Sequence, residues 1–233
     1  MFAGLAVGVF LALPSGSSFQ DTSKAAPKTR AATSFPGVEI DPALSPDGNQ
    51  LAFVWSGGLQ GHLNVYAKVI GTETPLQLTN TMLYEFSPAW SPDGRHIAFA
   101  RSLEGLFVVP ALGGPERKLT AIGRHSSPDL AWSPRGDVLV FSDRTSAEEP
   151  YSLYLLTVST REKTRLTTPP TVYRHDRNPV FSPDGSMVAF TRGIDGVKDR
   201  YVDPVGFQPP GVAGRPAPGL CLVAVRQRGD LDS

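Results

Sequence analysis

The sequence contains one cysteine among 233 residues, Cys221, so the chain cannot form an intrachain disulfide. It also has no net charge: 22 basic and 22 acidic residues cancel, so no overall field favours nucleic acid or an anionic membrane. Gly and Pro, in contrast, are abundant at 23 and 22 residues, which is typical of many short strands joined by tight turns. The composition predicts a β-rich protein that does not bind nucleic acid.

The motifs of common catalytic centres are also missing. There is no Gly-x-Ser-x-Gly elbow, and the lone cysteine has no histidine near it in the sequence, so neither nucleophile is supported. The histidines are scattered without the close spacing of a local metal site. They are His62, His96, His125 and His175. We therefore predict a protein that is not an enzyme and that uses no metal ion or other cofactor.

A repeated motif fills the middle of the chain. One copy begins with Ser91-Pro92-Asp93-Gly94 and ends at Phe99, and related copies begin at Ser45, Ser133 and Ser182. The copies start 46, 42 and 49 residues apart, close to the period of a four-stranded propeller blade. In such a turn proline presets φ, aspartate accepts nearby hydrogen bonds and glycine tolerates a positive φ. The motif therefore predicts one tight hairpin in each repeat.

The residues after each turn alternate between bulky and small apolar side chains, as in Ile97-Ala98-Phe99. A period of two predicts a strand, and apolar residues at both phases predict that both faces of the sheet are covered. Stacked blades have this property. In the third copy Arg135 replaces the turn aspartate, so we expect this turn to persist but to lose its aspartate hydrogen bond.

A second landmark recurs behind each of the first three turns. A β-rich run is followed by a Leu-Thr pair whose threonine lies 34, 29 and 34 residues after the turn serine. These threonines are Thr79, Thr120 and Thr167. Two landmarks in nearly constant phase predict an all-β fold, a partial β-propeller of about four four-stranded blades. The expected blades are residues 35–80, 81–122, 123–168 and 169–205.

The flanking segments lack the repeat. The apolar run Met1 to Leu13 predicts that residues 1–19 are either a signal peptide or a truncated membrane anchor, which would allow membrane association. Residues 20–34 are predicted to be a disordered linker. Residues 206–233 are predicted to be an irregular tail rich in Gly and Pro, in which Leu220 to Val225 could supply an outer strand. We expect the chain to be part of a longer propeller.

The repeat resembles the WD40-like "Pro-Asp" propeller repeat of TolB-type periplasmic proteins, over roughly residues 35–192. The resemblance implies a periplasmic or otherwise extracytoplasmic interaction module with a protein partner and, as a second option, a small-molecule ligand. It would be TolB-like, or the sensory domain of a membrane-anchored regulator. Two alternatives stay open: the substrate-gating propeller of a prolyl-oligopeptidase-type hydrolase without its catalytic domain, and a non-functional gene fragment.

The candidate binding residues precede their turn serines by six residues, or by eight in the case of His125. In a propeller these offsets fall on the loop that enters the innermost strand, near the mouth of the central channel, and such loops often carry function. The predicted ligand- or partner-binding residues are Glu39, Glu85, His125 and Asp176. Trp90 and Trp132, directly before their turn serines, are predicted instead to pack one blade against the next.

Overall fold

The computed structural model describes residues 31–58, 61–124, 126, 128–170, 175–194, 197–201 and 221–223. The chain separates into two units, Met1–Ala31 and Ala32–Ser233, and every strand below belongs to the second. The predicted signal or anchor segment lies outside the described residues, as do most of the predicted linker and tail. The described residues contain no helix, and hence none with the length and hydropathy to cross a membrane.

Within the described residues, sixteen strands form four sheets of four strands each, and the first three sheets are antiparallel meanders. Blade one consists of β1 (Glu39–Leu44), β2 (Gln50–Trp55), β3 (Asn64–Val69) and β4 (Leu76–Gln77). Blade two consists of β5 (Glu85–Trp90), β6 (His96–Arg101), β7 (Gly105–Pro110) and β8 (Arg117–Thr120). Blade three consists of β9 (Leu130–Trp132), β10 (Val138–Asp143), β11 (Ser152–Thr157) and β12 (Lys163–Arg165).

Blade four differs in its last strand. It consists of β13 (His175–Phe181), β14 (Met187–Ile194), β15 (Val197–Tyr201) and β16 (Cys221–Val223). Strand β14 pairs with β13 along one edge, so β15 and β16 must share the other. There β16 runs parallel to Met187–Ala189, whereas β15 is antiparallel to Phe190–Ile194. The outer strand expected from Leu220 to Val225 is therefore placed differently, beside the second strand of the blade.

Consecutive blades pack face to face, and strands β6, β7, β10 and β11 each supply side chains to two cores. In β6, Ile97 and Phe99 lie in the core between blades one and two, whereas Ala98 and Ala100 lie in the core between blades two and three. A third core joins Val140 of blade three to blade four. The innermost strands β1, β5, β9 and β13 follow one another in contact. These observations confirm the all-β partial propeller and the covering of both sheet faces.

The repeated turn is held by a small hydrogen-bond network. The Ser91 hydroxyl donates to Asp93 Oδ1 at 2.6 Å and accepts from the His96 amide at 2.9 Å, so it closes the hairpin. The same pair of contacts recurs at Ser45 and Ser182. Because the serine hydroxyl is needed as both donor and acceptor, the Ser-Pro-Asp-Gly pattern specifies the turn chemically and not only sterically.

The third turn retains its aspartate contact by another route. Ser133 Oγ donates to Asp137 Oδ1 at 2.7 Å and accepts from the Val138 amide at 3.1 Å. The expectation that Arg135 would leave this turn without an aspartate hydrogen bond is therefore wrong. Asp137, two residues further on, supplies the same acceptor, and Arg135 Nε donates to its other oxygen at 3.2 Å. Arg135 is thus not required by the turn.

The tryptophans before the turns join neighbouring blades, as predicted. Trp90 Nε1 donates to the Ala43 carbonyl of blade one at 3.0 Å, and Trp132 Nε1 donates to the Ala89 carbonyl of blade two at 3.0 Å. The rings pack in the cores between those blades. Each indole therefore combines apolar burial with a hydrogen bond across the blade interface.

Candidate functional site

Three of the four innermost strands carry a bulge at the same position. The pairing register shifts between Ile40 and Ala43 in β1, with equivalent shifts in β5 and β13. The bulged residue has a left-handed φ, and a proline follows it, which suits a site where the ladder is already interrupted. The bulged residues are Asp41 (φ 52°), Ser87 (φ 54°) and Asn178 (φ 52°).

These bulges converge on one cavity of about 260 Å³, to which all four blades contribute. We call it the axial cavity, because it lies among the four innermost strands. Its polar side chains are Asp41, Ser87, Asp129 and Asn178, each four residues before its turn serine. Asp41 and Asn178 are exposed and the other two are half-buried. The repeat thus places one polar residue from each blade at the same depth.

Two carboxylates of the axial cavity also join neighbouring blades. Asp41 Oδ2 accepts from the Ser87 amide at 2.9 Å, and Asp129 Oδ2 accepts from the Asn178 amide at 3.2 Å. Arg177 Nε lies 3.4 Å from the same oxygen of Asp129. Within the described residues, Oδ1 of Asp41 and of Asp129 accepts no hydrogen bond. Each acid therefore keeps acceptor capacity for a donor that enters the cavity.

Glu85, one of the predicted binding residues, begins strand β5 and is fully buried. Its carboxylate accepts from Arg101 Nε at 2.8 Å, from the Val65 amide of blade one at 3.1 Å, and from the Thr79 hydroxyl. Burial raises the pKa of Glu85, and the hydrogen bonds from Thr79 and Arg101 oppose that rise. Glu85 therefore joins blade two to blade one through the hydrogen bonds from Val65 and Thr79, whereas its ion pair with Arg101 lies within blade two.

Asp176 occupies the equivalent position in blade four. It is fully buried, and its two oxygens accept from Arg192 Nε at 2.7 Å and Nη2 at 2.9 Å. Glu85 and Asp176 each face their arginine across the same register pair of the first two strands. In blade three the position of these arginines is taken by buried Asp143, which pairs with Lys163 Nζ at 2.6 Å on the outermost strand β12.

The four predicted binding residues thus fall into different environments. Glu85 and Asp176 are fully buried in ion pairs, so the expectation that they lie in loops near the mouth of the central channel is corrected: Glu85 begins β5, Asp176 is the second residue of β13, and the strand register places each acid opposite a buried arginine. Glu39 is half-buried and accepts from Thr33 Oγ1 at 3.1 Å and from the Phe35 amide at 3.3 Å. His125 lies outside the described residues. The binding role of these residues stays a prediction.

The polar residues of the axial cavity were missed at the sequence level, although a signal for them exists. Three of the four innermost strands contain a polar residue directly before proline, four positions before the turn serine. These pairs are Asp41-Pro42, Ser87-Pro88 and Asn178-Pro179. Proline inside a predicted strand indicates a bulge or an edge, and a bulge redirects its side chain. In the described part of the chain, no group of three or more His, Cys, Asp or Glu could hold a metal ion.

Four radially stacked sheets around a polar axial cavity define a β-propeller. The chain belongs to the TolB beta propeller domain family, whose model matches residues 22–203. It is 27% identical over 174 residues to the Tol-Pal system protein TolB of Francisella tularensis subsp. tularensis (strain WY96-3418). That match covers 71% of this chain and 39% of the relative, so the chain spans about two-fifths of the length of this curated protein.

Solved structures support the same family. The putative TolB from Agrobacterium tumefaciens is 25% identical with a TM-score of 0.60, over 73% of this chain and 60% of that chain. TolB from Acinetobacter baumannii is 19% identical with a TM-score of 0.57, over 69% of this chain and 39% of that chain. At that identity the second likeness concerns the fold alone.

Proposed function

We propose that this protein is a non-catalytic, extracytoplasmic interaction module that binds a protein partner at the mouth of its axial cavity. One observation carries the proposal: a chain of the TolB beta propeller domain family places a polar residue from each of four blades around one cavity. Rigid scaffolds that present loops and clefts in this way commonly bind other molecules. The role of a gating propeller for a hydrolase stays an alternative prediction.

The chemistry of the axial cavity favours a donor from a protein side chain. Asp41 and Asp129 keep a free acceptor oxygen, so a lysine, an arginine or a backbone amide of a partner would find charge-assisted hydrogen bonds there. The cavity holds about 260 Å³, below the range of roughly 300–1,000 Å³ common for small-molecule pockets. An inserted side chain fits this space better than a cofactor-sized ligand.

The predicted binding residues take two roles in this proposal. Glu39 and His125 would contribute to the partner surface around the mouth. Glu85 and Asp176 would act as positioning residues, because each lies two positions before a cavity residue on its innermost strand and fixes that strand through its ion pair. The partner we propose is a protein of a Tol-Pal type system, by analogy with the name of the Francisella relative.

Binding to Tol-type and Pal-type proteins encoded in the same genome tests the proposal. The Asp41→Asn/Asp129→Asn double variant removes both charges but keeps an acceptor oxygen for each amide across the blade interface. Biolayer interferometry should show affinity reduced about tenfold or more, which is the effect of losing one charge-assisted hydrogen bond. The matched control is Glu73→Gln/Glu162→Gln, which removes two exposed acids outside the cavity. Equal affinity for both double variants would contradict the proposal.

A further inference from the structure

A second cavity lies between blades two and three, at the end of the molecule that carries the Ser-Pro-Asp-Gly turns. It encloses about 440 Å³ and is distinct from the axial cavity. Its walls include the turns that begin at Ser91 and Ser133 and the apolar side chains of Val108, Trp132 and Val158. We call it the inter-blade groove. Its volume is within the range of roughly 300–1,000 Å³ of ligand-binding pockets.

Positive charge dominates the polar lining of the inter-blade groove. Arg117 on β8, Arg135 in the third turn and His96 at the start of β6 all line it and are exposed. The Arg117 side chain makes no hydrogen bond or ion pair with any described residue. The opposing acid in the lining is Asp93, whose Oδ1 is already held by the Ser91 hydroxyl and the Arg95 amide. Two permanent cations therefore face one engaged carboxylate.

The equivalent positions between the other pairs of blades show that the fold does not require these positive charges. Register pairing identifies the residues equivalent to His96, Arg117 and Arg135 in the other two grooves. Those residues are uncharged or acidic. They are Gln50, Leu76 and Asp93 between blades one and two, and Val138, Thr164 and Asp184 between blades three and four.

Arg135 in particular replaces a residue that the turn uses elsewhere. The other three turns have an aspartate there, and the third turn keeps its hydrogen bond only because Asp137 supplies the acceptor. The salt bridge from Arg135 to Asp137 is solvent-exposed, with 73% of the arginine side chain accessible, and such pairs add little stability. The arginine is therefore accounted for neither by the turn nor by the packing of the blades.

We propose that the inter-blade groove binds an acidic, extended peptide segment of a protein partner. Its carboxylates would pair with Arg117 and Arg135, and intervening apolar side chains would pack on Val108, Trp132 and Val158. The walls contain both arginines and apolar side chains, and an extended chain can present acidic groups on one face and apolar groups on the other. A free inorganic anion would use the arginines but leave the apolar wall in water. This site goes beyond the proposed function, since it uses a different surface.

The probe is a fluorescein-labelled octapeptide of alternating Glu and Leu, and the control peptide has Gln for every Glu. Fluorescence anisotropy with the full chain should show binding of the Glu peptide that weakens as salt rises, and at least tenfold weaker binding of the Gln peptide. Equal binding of the two peptides would overturn the proposal. The proposal would also be overturned if inorganic phosphate or acetate displaced the labelled Glu peptide at the same molar concentration as the unlabelled Glu peptide does.

Two variants locate the peptide site. Arg117→Gln/Arg135→Gln should weaken binding of the Glu peptide at least tenfold, whereas Arg124→Gln/Arg161→Gln, which removes two exposed arginines outside the groove, should not. Arg135→Asp recreates the turn sequence of the other copies, so this variant should fold normally. It should nevertheless bind the Glu peptide more weakly than the unmodified chain does. The Asp41→Asn/Asp129→Asn variant should bind the peptide like the unmodified chain, which separates this site from the axial cavity. Equal binding by the two arginine double variants would refute the assignment.

Discussion

The buried carboxylate of Glu85 gives the sharpest test of how the blades are joined. Replacement by alanine removes the acceptor for Arg101 Nε at 2.8 Å and for the Thr79 hydroxyl, and the link to the Val65 amide of the neighbouring blade. The side chain has no exposed surface, so water cannot replace these contacts without opening the interface. Glu85→Ala should therefore destabilise the fold.

The size of the loss follows from what the partners retain. Breaking a buried ion pair by removing one partner typically costs about 3–5 kcal/mol. The lower end, about 3 kcal/mol, is expected here, because Arg101 keeps Glu116, with Nη1 to Oε1 at 2.7 Å, and the Val65 amide keeps the Thr79 hydroxyl at 2.9 Å. For a chain of this size that loss lowers Tm by about 6–12 °C.

Urea unfolding followed by far-UV circular dichroism measures the free energy of unfolding of Glu85→Ala. The matched control is Glu73→Ala, which removes an exposed acid and should change stability by no more than about 0.5 kcal/mol. The Glu85→Ala/Arg101→Ala variant should lose less than the sum of the single losses, because the two side chains interact directly. If Glu85→Ala unfolds at the same urea concentration as the control, the ion pair does not stabilise the blade interface and the reasoning is refuted.

Three further changes probe the core, the blade interface and the turn. Phe99→Ala empties a fully buried position and should cost about 3–5 kcal/mol by urea unfolding, whereas Leu103→Ala, at an exposed site, should be near neutral; similar values for both would contradict the packing. Trp132→Phe keeps one aromatic ring but loses the indole N–H donor and part of the packed ring surface, so a loss of at least about 0.5–1.5 kcal/mol is expected and no loss would dismiss that hydrogen bond. Hydrogen bonds from the Ser182 hydroxyl, which contributes most, and from the Ser186 amide and hydroxyl lower the pKa of Asp184 to about 2, so Ser182→Ala should raise that pKa part of the way back, as measured by NMR titration. Because the pKa of Asp184 is lower in the folded state than its ordinary value of 3.8, the ionised carboxylate stabilises the fold above pH 3.8, and this stabilisation is lost as the pH falls towards about 2. Ser182→Ala should therefore lose less stability than the unmodified chain between these two pH values. An unchanged pKa of Asp184 in the variant would exclude the turn contact.

The fold was predictable because its determinants are local and repeat. Ile97 and Phe99 alternate with Ala98, and the structure divides them between two cores as a period of two requires. The turn serine is also visible in the sequence, since its hydroxyl closes each hairpin. Packing residues such as Trp90 follow from their constant place before the turn. Such features need no knowledge of which strands face each other across a blade.

The candidate site was less predictable, because it depends on pairing between distant residues. Glu85 stands at a loop-like offset from its turn, but the strand begins at this residue, and registry places Arg101 opposite it. No count along one segment reveals that partner. The contact of Ser133 with Asp137 was missed for a related reason: an acceptor two residues further on reaches the same hydroxyl. The axial cavity likewise exists only once the three bulged strands and β9 are brought together.

The positions of the charges separate residues that hold the blades from residues that are free to bind. In blade three, the position of Arg101 and Arg192 is taken by buried Asp143, whose charge is compensated by Lys163 on the outermost strand, so each of these buried charges has a partner of opposite sign. In contrast, the polar residues two positions after Glu85 and Asp176 differ between blades, and Arg135 departs from its repeat without harming the turn. Substitutions at the ion pairs should therefore lower stability first, whereas substitutions in the axial cavity or the inter-blade groove should alter binding in a chain that still unfolds normally.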